Sequence, residues 1–241
     1  MVDPGNLEAL AGWLERHPWE VGAALAARAA LRILPLAEAW LRPIDPYHAM
    51  AVAWTFANFP EPRIRARAAG IGVVARFERY LEAPCTFAVA YHCALLVSKD
   101  DPLGSFAGSA SRCIHDAIDC AGKGPGFRGD RGFAAAHESA LARDLDAIDE
   151  GSEATDILAL RLWLGDEQDA IESLWSDAKR DLLTRNEGWE VWTDWYDARL
   201  RGDPAIEDIE IARISIPREI WTQGGAAENA EIRRALARKL C

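Results

Sequence analysis

Glu187-Gly188-Trp189-Glu190-Val191-Trp192-Thr193-Asp194-Trp195-Tyr196-Asp197-Ala198-Arg199-Leu200 is the stretch whose reading decides the fold. Wound at about 100° per residue, it places Trp189, Trp192, Trp195, Tyr196, Arg199 and Leu200 within roughly 140° of arc on one helix face. Glu190, Asp194, Asp197 and Arg201 take the other side, where Asp197 and Arg201 stand at the i,i+4 spacing of a helix-surface pair. Four aromatic rings on one face offer more surface for burial than any other segment of the chain. Gly202-Asp203-Pro204 closes the helix, because glycine suits the left-handed position after a helix and proline cannot continue it.

Helical patterns surround this segment on both sides. Upstream they run over Phe133–Asp149, Ser152–Leu164 and Gln168–Arg185; downstream, a short helix over Ile206–Ile216, another opened by Pro217, and a last one over Ala226–Leu240. The N-terminal part opens with Asn6 as a helix cap over Leu7, Leu10, Trp13 and Leu14. A second helix follows from Pro18 through Leu34. Its Ala24-Leu25-Ala26-Ala27-Arg28-Ala29-Ala30-Leu31 stretch is apolar nearly all round, which predicts a central position. Further helices are expected over Tyr47–Asn58, Pro62–Leu81 and Ser105–Ala121, while Thr86–Ser98 reads as helix or strand with its alanines favouring helix. The expected fold is therefore all-α, an irregular multi-helix bundle.

Gly122-Lys123-Gly124-Pro125-Gly126-Phe127-Arg128-Gly129-Asp130-Arg131-Gly132 is the one clear breaker cluster. It predicts an exposed loop, open to limited proteolysis. It divides the chain into an N-terminal helical lobe (1–121), the loop (122–132) and a Trp-rich C-terminal lobe (133–241), with one continuous domain as the alternative.

The totals narrow the class. The chain has 241 residues, half of them hydrophobic and 27% charged, which is globular composition with enough length for a sizeable core. The net charge of −11 opposes binding to nucleic acid or to an anionic membrane surface. It is uneven: residues 1–80 carry nine arginines against eight acids, residues 151–241 twelve bases against nineteen. Val21–Leu41, the most apolar run, is interrupted by Arg28, Arg32, Pro35 and Glu38, so no spanning helix is expected. The five cysteines form no paired framework, and the first residues lack the basic region of a secretory signal. A reduced, cytoplasmic protein is the expectation.

Trp192-x-x-Trp-Tyr-x-x-Arg-Leu-x-Gly202 and the later Ile216-Pro-x-x-Ile-Trp-x-x-Gly-Gly-x-x-x-Asn-Ala-Glu-Ile232 resemble the ending of a group of uncharacterised bacterial helical proteins. Trp13 to Pro35 is similar to an N-terminal segment of that group, and the middle of the chain, roughly 85–150, has no counterpart in it. The resemblance implies a helical fold and no activity.

Candidate chemistry is sparse. Cys85, His92, Cys93, Cys113, His115 and Cys120 gather in one region without the short C-x2–4-C spacings of a structural zinc site, so no metal is expected. Cys113 and Cys120 share a helix face, as two inert buried thiols would, and His115 and Asp119 stand at a surface-pair spacing. His137-Glu138 begins like a zinc-protease helix but lacks the second histidine. Lys123, Arg128 and Arg131 make the Gly-rich loop a candidate anion site, since amides freed by glycine can cradle phosphate. Arg63, Arg65, Arg67, Arg76 and Arg79 form a basic strip, expected to pair with the acidic C-terminal half. Trp192, Trp195, Tyr196 and Arg199 are the candidate partner-binding residues, because Trp, Tyr and Arg dominate binding hot spots. The same arc reads equally as a buried aromatic spine, in which Arg199 would need a carboxylate or an aromatic face. The leading reading is a non-enzymatic helical module that binds another protein and carries no cofactor. The alternative is an enzyme or small-ligand or anion-binding protein with a site near the Gly-rich loop and the His/Cys cluster.

Overall fold

Burial all round requires neighbours on every side, and the Ala-rich segment has them. In the computed structural model, which describes residues 2–39, 44–61, 88–90, 92–93, 96, 106–123, 131–164, 167–221 and 223–240, every residue from Val21 to Arg32 is buried. This helix, α2 (Trp19–Arg32), packs along α4 (Phe106–Lys123), α3 (Ile44–Asn58) and α5 (Arg131–Asp149). Small side chains let the backbones approach. A Cβ at Gly22 would meet Phe106 at 3.2 Å and Ala110 at 3.3 Å.

The remaining helices close round this axis. α1 (Leu7–Leu14) starts where Asn6 Oδ1 accepts the Ala9 amide at 3.0 Å, as the cap predicts. Trp13 then ties it to α5 through Nε1 and Asp149 Oδ1, at 3.1 Å. The C-terminal part comprises α6 (Ala154–Leu158), α7 (Glu167–Thr184), the Trp-rich α8 (Glu190–Arg201), α9 (Glu207–Ile214), α10 (Arg218–Trp221) and α11 (Gly225–Leu240). The fold is all-α, with no strand among the described residues. Buried side chains from Leu10 to Ile232 form one cluster that includes residues from both sides of the Gly-rich stretch. No helix of the described residues is long and apolar enough to cross a membrane.

Two elements depart from the sequence expectation. α2 ends at Arg32 rather than Leu34, and a 3-10 helix spans Leu34–Ala39. Pro35 explains this, since it has no amide to donate and disfavours helical backbone in the residue before it. The helix expected over Ser152–Leu164 stops at Leu158, and residues 159–164 run on as an irregular turn. The helix expected over Pro62–Leu81 lies outside the described residues. Within Thr86–Ser98, residues 88–90 and 92–93 are helical.

Candidate functional site

The aromatic arc of α8 faces the interior. Trp189, Trp192, Trp195, Tyr196 and Arg199 are all buried, Arg199 at 4% exposure, while Asp194 is exposed. The polar atom of each aromatic side chain finds a partner. Trp192 Nε1 donates to Asn229 Oδ1 at 2.8 Å, Trp195 Nε1 to Glu210 Oε2 at 2.9 Å, and the Tyr196 hydroxyl to the Leu31 carbonyl at 3.0 Å. Glu210, itself buried, lies between Arg199 (3.5 Å) and Arg213 (4.0 Å). The Arg199 guanidinium lies over the Trp54 ring at 5.2 Å, and that of Arg213 over Trp192 at 5.8 Å and Trp195 at 5.9 Å. Burial lowers the pKa of both arginines, Arg213 to about 10, against the pull of Glu210. Carboxylate and aromatic faces together thus accommodate Arg199. Asp197 does not pair with Arg201. Its oxygens accept from Trp175 Nε1 and Lys179 Nζ, both at 2.6 Å, while Arg201 turns to Asp203. α7 supplies closer partners for Asp197 than its own helix does.

A second buried charge cluster leads to the surface. Arg28 and Arg32, one turn apart on α2, converge on Asp144 of α5: Arg28 Nε at 2.8 Å and Arg32 Nη2 at 2.6 Å. Burial raises the Asp144 carboxyl, but the two guanidiniums outweigh it and hold it below the ordinary carboxylate value. Arg32, 1% exposed, is lowered to about 10 by burial. Further donors reach the turn after α6, while Arg32 Nη1 is buried without a hydrogen-bond partner among the described residues. Arg28 donates to the carbonyls of Leu160 (2.8 Å) and Arg161 (2.9 Å), and Arg32 Nε to that of Leu162 (2.9 Å). Carbonyls that lie free beyond the end of α6 are thus satisfied by arginine.

From the side, Gly202 fixes the same turn. Its φ of +75° ends α8 in the left-handed region, and a Cβ there would lie 2.8 Å from the Ala159 oxygen and 3.0 Å from the Arg161 nitrogen. Pinned in this way, the turn sends Leu162 and Trp163 inward and leaves Leu160, Arg161 and Leu164 exposed. Trp163 packs on Phe133 (5.8 Å between ring centroids), with the Arg32 guanidinium 5.8 Å from its own ring centre.

Between this turn, α7 and α8 lies a cavity of about 300 Å³. Trp163, Ile171, Trp175 and Leu200 give it an apolar floor; Arg161, Glu172, Asp197 and Arg201 supply its charged rim. Trp175 stands edge-on to Tyr196, with centroids 4.5 Å apart, so the floor is continuous with the aromatic core. Its volume is at the small end for ligand pockets, enough for one bulky side chain or a small molecule. Sequence reasoning missed this site. No local pattern signals it, since Leu158 and Leu162 are buried while Leu160 and Leu164 are exposed.

The other sequence candidates are placed as follows. Cys93 and Cys113 are both buried with sulfurs 3.5 Å apart, and that contact together with burial raises the Cys113 thiol well above its ordinary value, which disfavours a thiolate. Cys120 is also buried. His92 and His115 both lie against Asp116, at 3.2 and 4.0 Å. Among the described residues no three His, Cys, Asp or Glu side chains gather as metal ligands would. His137 is buried with Nε2 3.2 Å from the Ala29 carbonyl, which can only accept, so this nitrogen carries the proton. Burial and then the Arg32 charge lower its pKa to about 4. Arg128, the side chains of Lys123 and Arg131, the arginine strip from Arg63 to Arg79, Cys85 and Cys241 lie outside the described residues.

Comparison with protein families, with curated proteins and with solved structures found no match to the chain.

Proposed function

We propose that the chain is a non-enzymatic helical module that recognises another protein through the 159–164 turn and the cavity beside it, rather than through the aromatic arc. The observation that supports this reading is where apolar surface remains in water. Leu160 and Leu164, each 42% exposed, are two of the three large hydrophobic side chains exposed among the described residues, and they flank the residues that line the cavity. Apolar side chains left in water beside an aromatic-floored cavity form a surface that a partner can cover. Arg28 and Arg32 hold three carbonyls of the turn by hydrogen bonds, which lessens the ordering that binding would require. Of the residues first suggested for the contact, Tyr196 packs on Trp175 beneath the cavity, and Trp192, Trp195 and Arg199 are buried.

Photo-crosslinking in the native host tests the reading. A benzoylphenylalanine at position 164 should give an adduct with a defined protein, and the same group at exposed Glu150 should not. Adding Leu160→Asp should abolish the adduct while the circular dichroism spectrum and thermal midpoint stay unchanged. An adduct that survives Leu160→Asp in the folded protein, or that forms equally from position 150, would refute the assignment.

A further inference from the structure

Resting on that reading, we propose that the cavity receives the C-terminal residue of the partner chain, with its apolar side chain on the Trp163–Trp175 floor and its terminal carboxylate on Arg161. The charges at the rim decide the polarity of the ligand. Both oxygens of Asp197 are taken, by Trp175 and Lys179, Arg201 is held by Asp203 at 2.6 Å, and Glu172, the other carboxylate of the rim, has a partner of its own. Arg161 lines the cavity with no side-chain ion pair or hydrogen bond among the described residues. An arginine fork with open donors selects a carboxylate. Its backbone is fixed from two sides, by the Arg28 bond to its carbonyl at 2.9 Å and by the close approach of Gly202. A cavity of about 300 Å³ holds one side chain and not the face of a helix. A chain end is the place in a protein where a backbone carboxylate lies next to an apolar side chain, and its capture is a recurrent recognition mode.

The test uses the full chain and three probes: N-acetyl-leucine, its neutral amide, and leucinamide, which is cationic. Binding is read from the indole N–H resonances of Trp163 and Trp175, assigned by single Trp→Phe changes. N-acetyl-leucine should bind about tenfold tighter than the amide, as a charge-assisted hydrogen bond provides. Arg161→Gln should erase that difference while leaving the amide's affinity unchanged. A six-residue peptide ending in leucine should bind more tightly still, since only a chain can also cover Leu160 and Leu164. No binding, equal binding of acid and amide, preference for leucinamide, or no gain from the longer peptide would each overturn the proposal. Crosslinking from position 164 with failed probes removes this assignment alone; Arg161-dependent binding of the acid without any crosslinked protein removes the recognition reading.

Discussion

Arg28, Arg32, Asp144 and His137 show what single residues decide here. Two arginines at i,i+4 on an otherwise apolar helix demand buried acceptors, and Asp144 with three consecutive carbonyls provides them. Ionic clusters of this kind add little net stability, but removing one partner leaves a buried charge uncompensated at large cost. The sequence shows the demand and hides the answer, because the acceptors lie more than a hundred residues away. His137 gives a pH signature to the same region. Its folded pKa of about 4 lies below the ordinary 6.5, so between those values the unfolded chain binds the extra proton and stability falls as pH falls. The lost stability from this group is about 3 kcal/mol across the window. Urea unfolding of the wild type and His137→Gln at pH 7 and pH 4.5 measures it: the wild type should lose more stability on acidification, and parallel losses would show that His137 is not buried neutral.

At the scale of elements, α8 was legible and the turn beside it was not. Periodicity alone predicted which side of α8 is apolar, since helix phase is a local property. It also predicted the stop at Gly202. The two C-terminal motifs behind the resemblance are joined in space by Trp192 and Asn229, so they belong to the core. Residues 159–164 were assigned to helix because their competing bonds come from α2. The Asp197–Arg201 pair failed for a similar reason, with Lys179 and Trp175 arriving from another helix. Gly202 is where the two elements meet, and Gly202→Ala tests it. Alanine is strained at φ +75° and its Cβ would enter the contact with Ala159, so a loss of about 2 kcal/mol or more is expected. Hydrogen exchange should quicken in 159–164 before other segments; an unchanged thermal midpoint would show that the turn is not packed against the helix end.

For the whole molecule, composition predicted the helical class and a core large enough for the chain, and the Ala-rich α2 predicted its axis. Function was less legible, because the cavity is assembled from three segments whose meeting no local pattern encodes. The aromatic arc is interior, and the proposed function assigns the working surface to the leucine turn and its cavity. Equilibrium unfolding in urea of Trp192→Ala, Trp195→Ala and the Leu160→Asp/Leu164→Asp double variant, measured side by side, tests that division most directly. Each Trp variant should lose about 3–5 kcal/mol, and the leucine variant should stay within roughly half a kcal/mol per site, as surface changes do. A folded, fully stable Trp192→Ala/Trp195→Ala protein, or a leucine variant that unfolds, would contradict it.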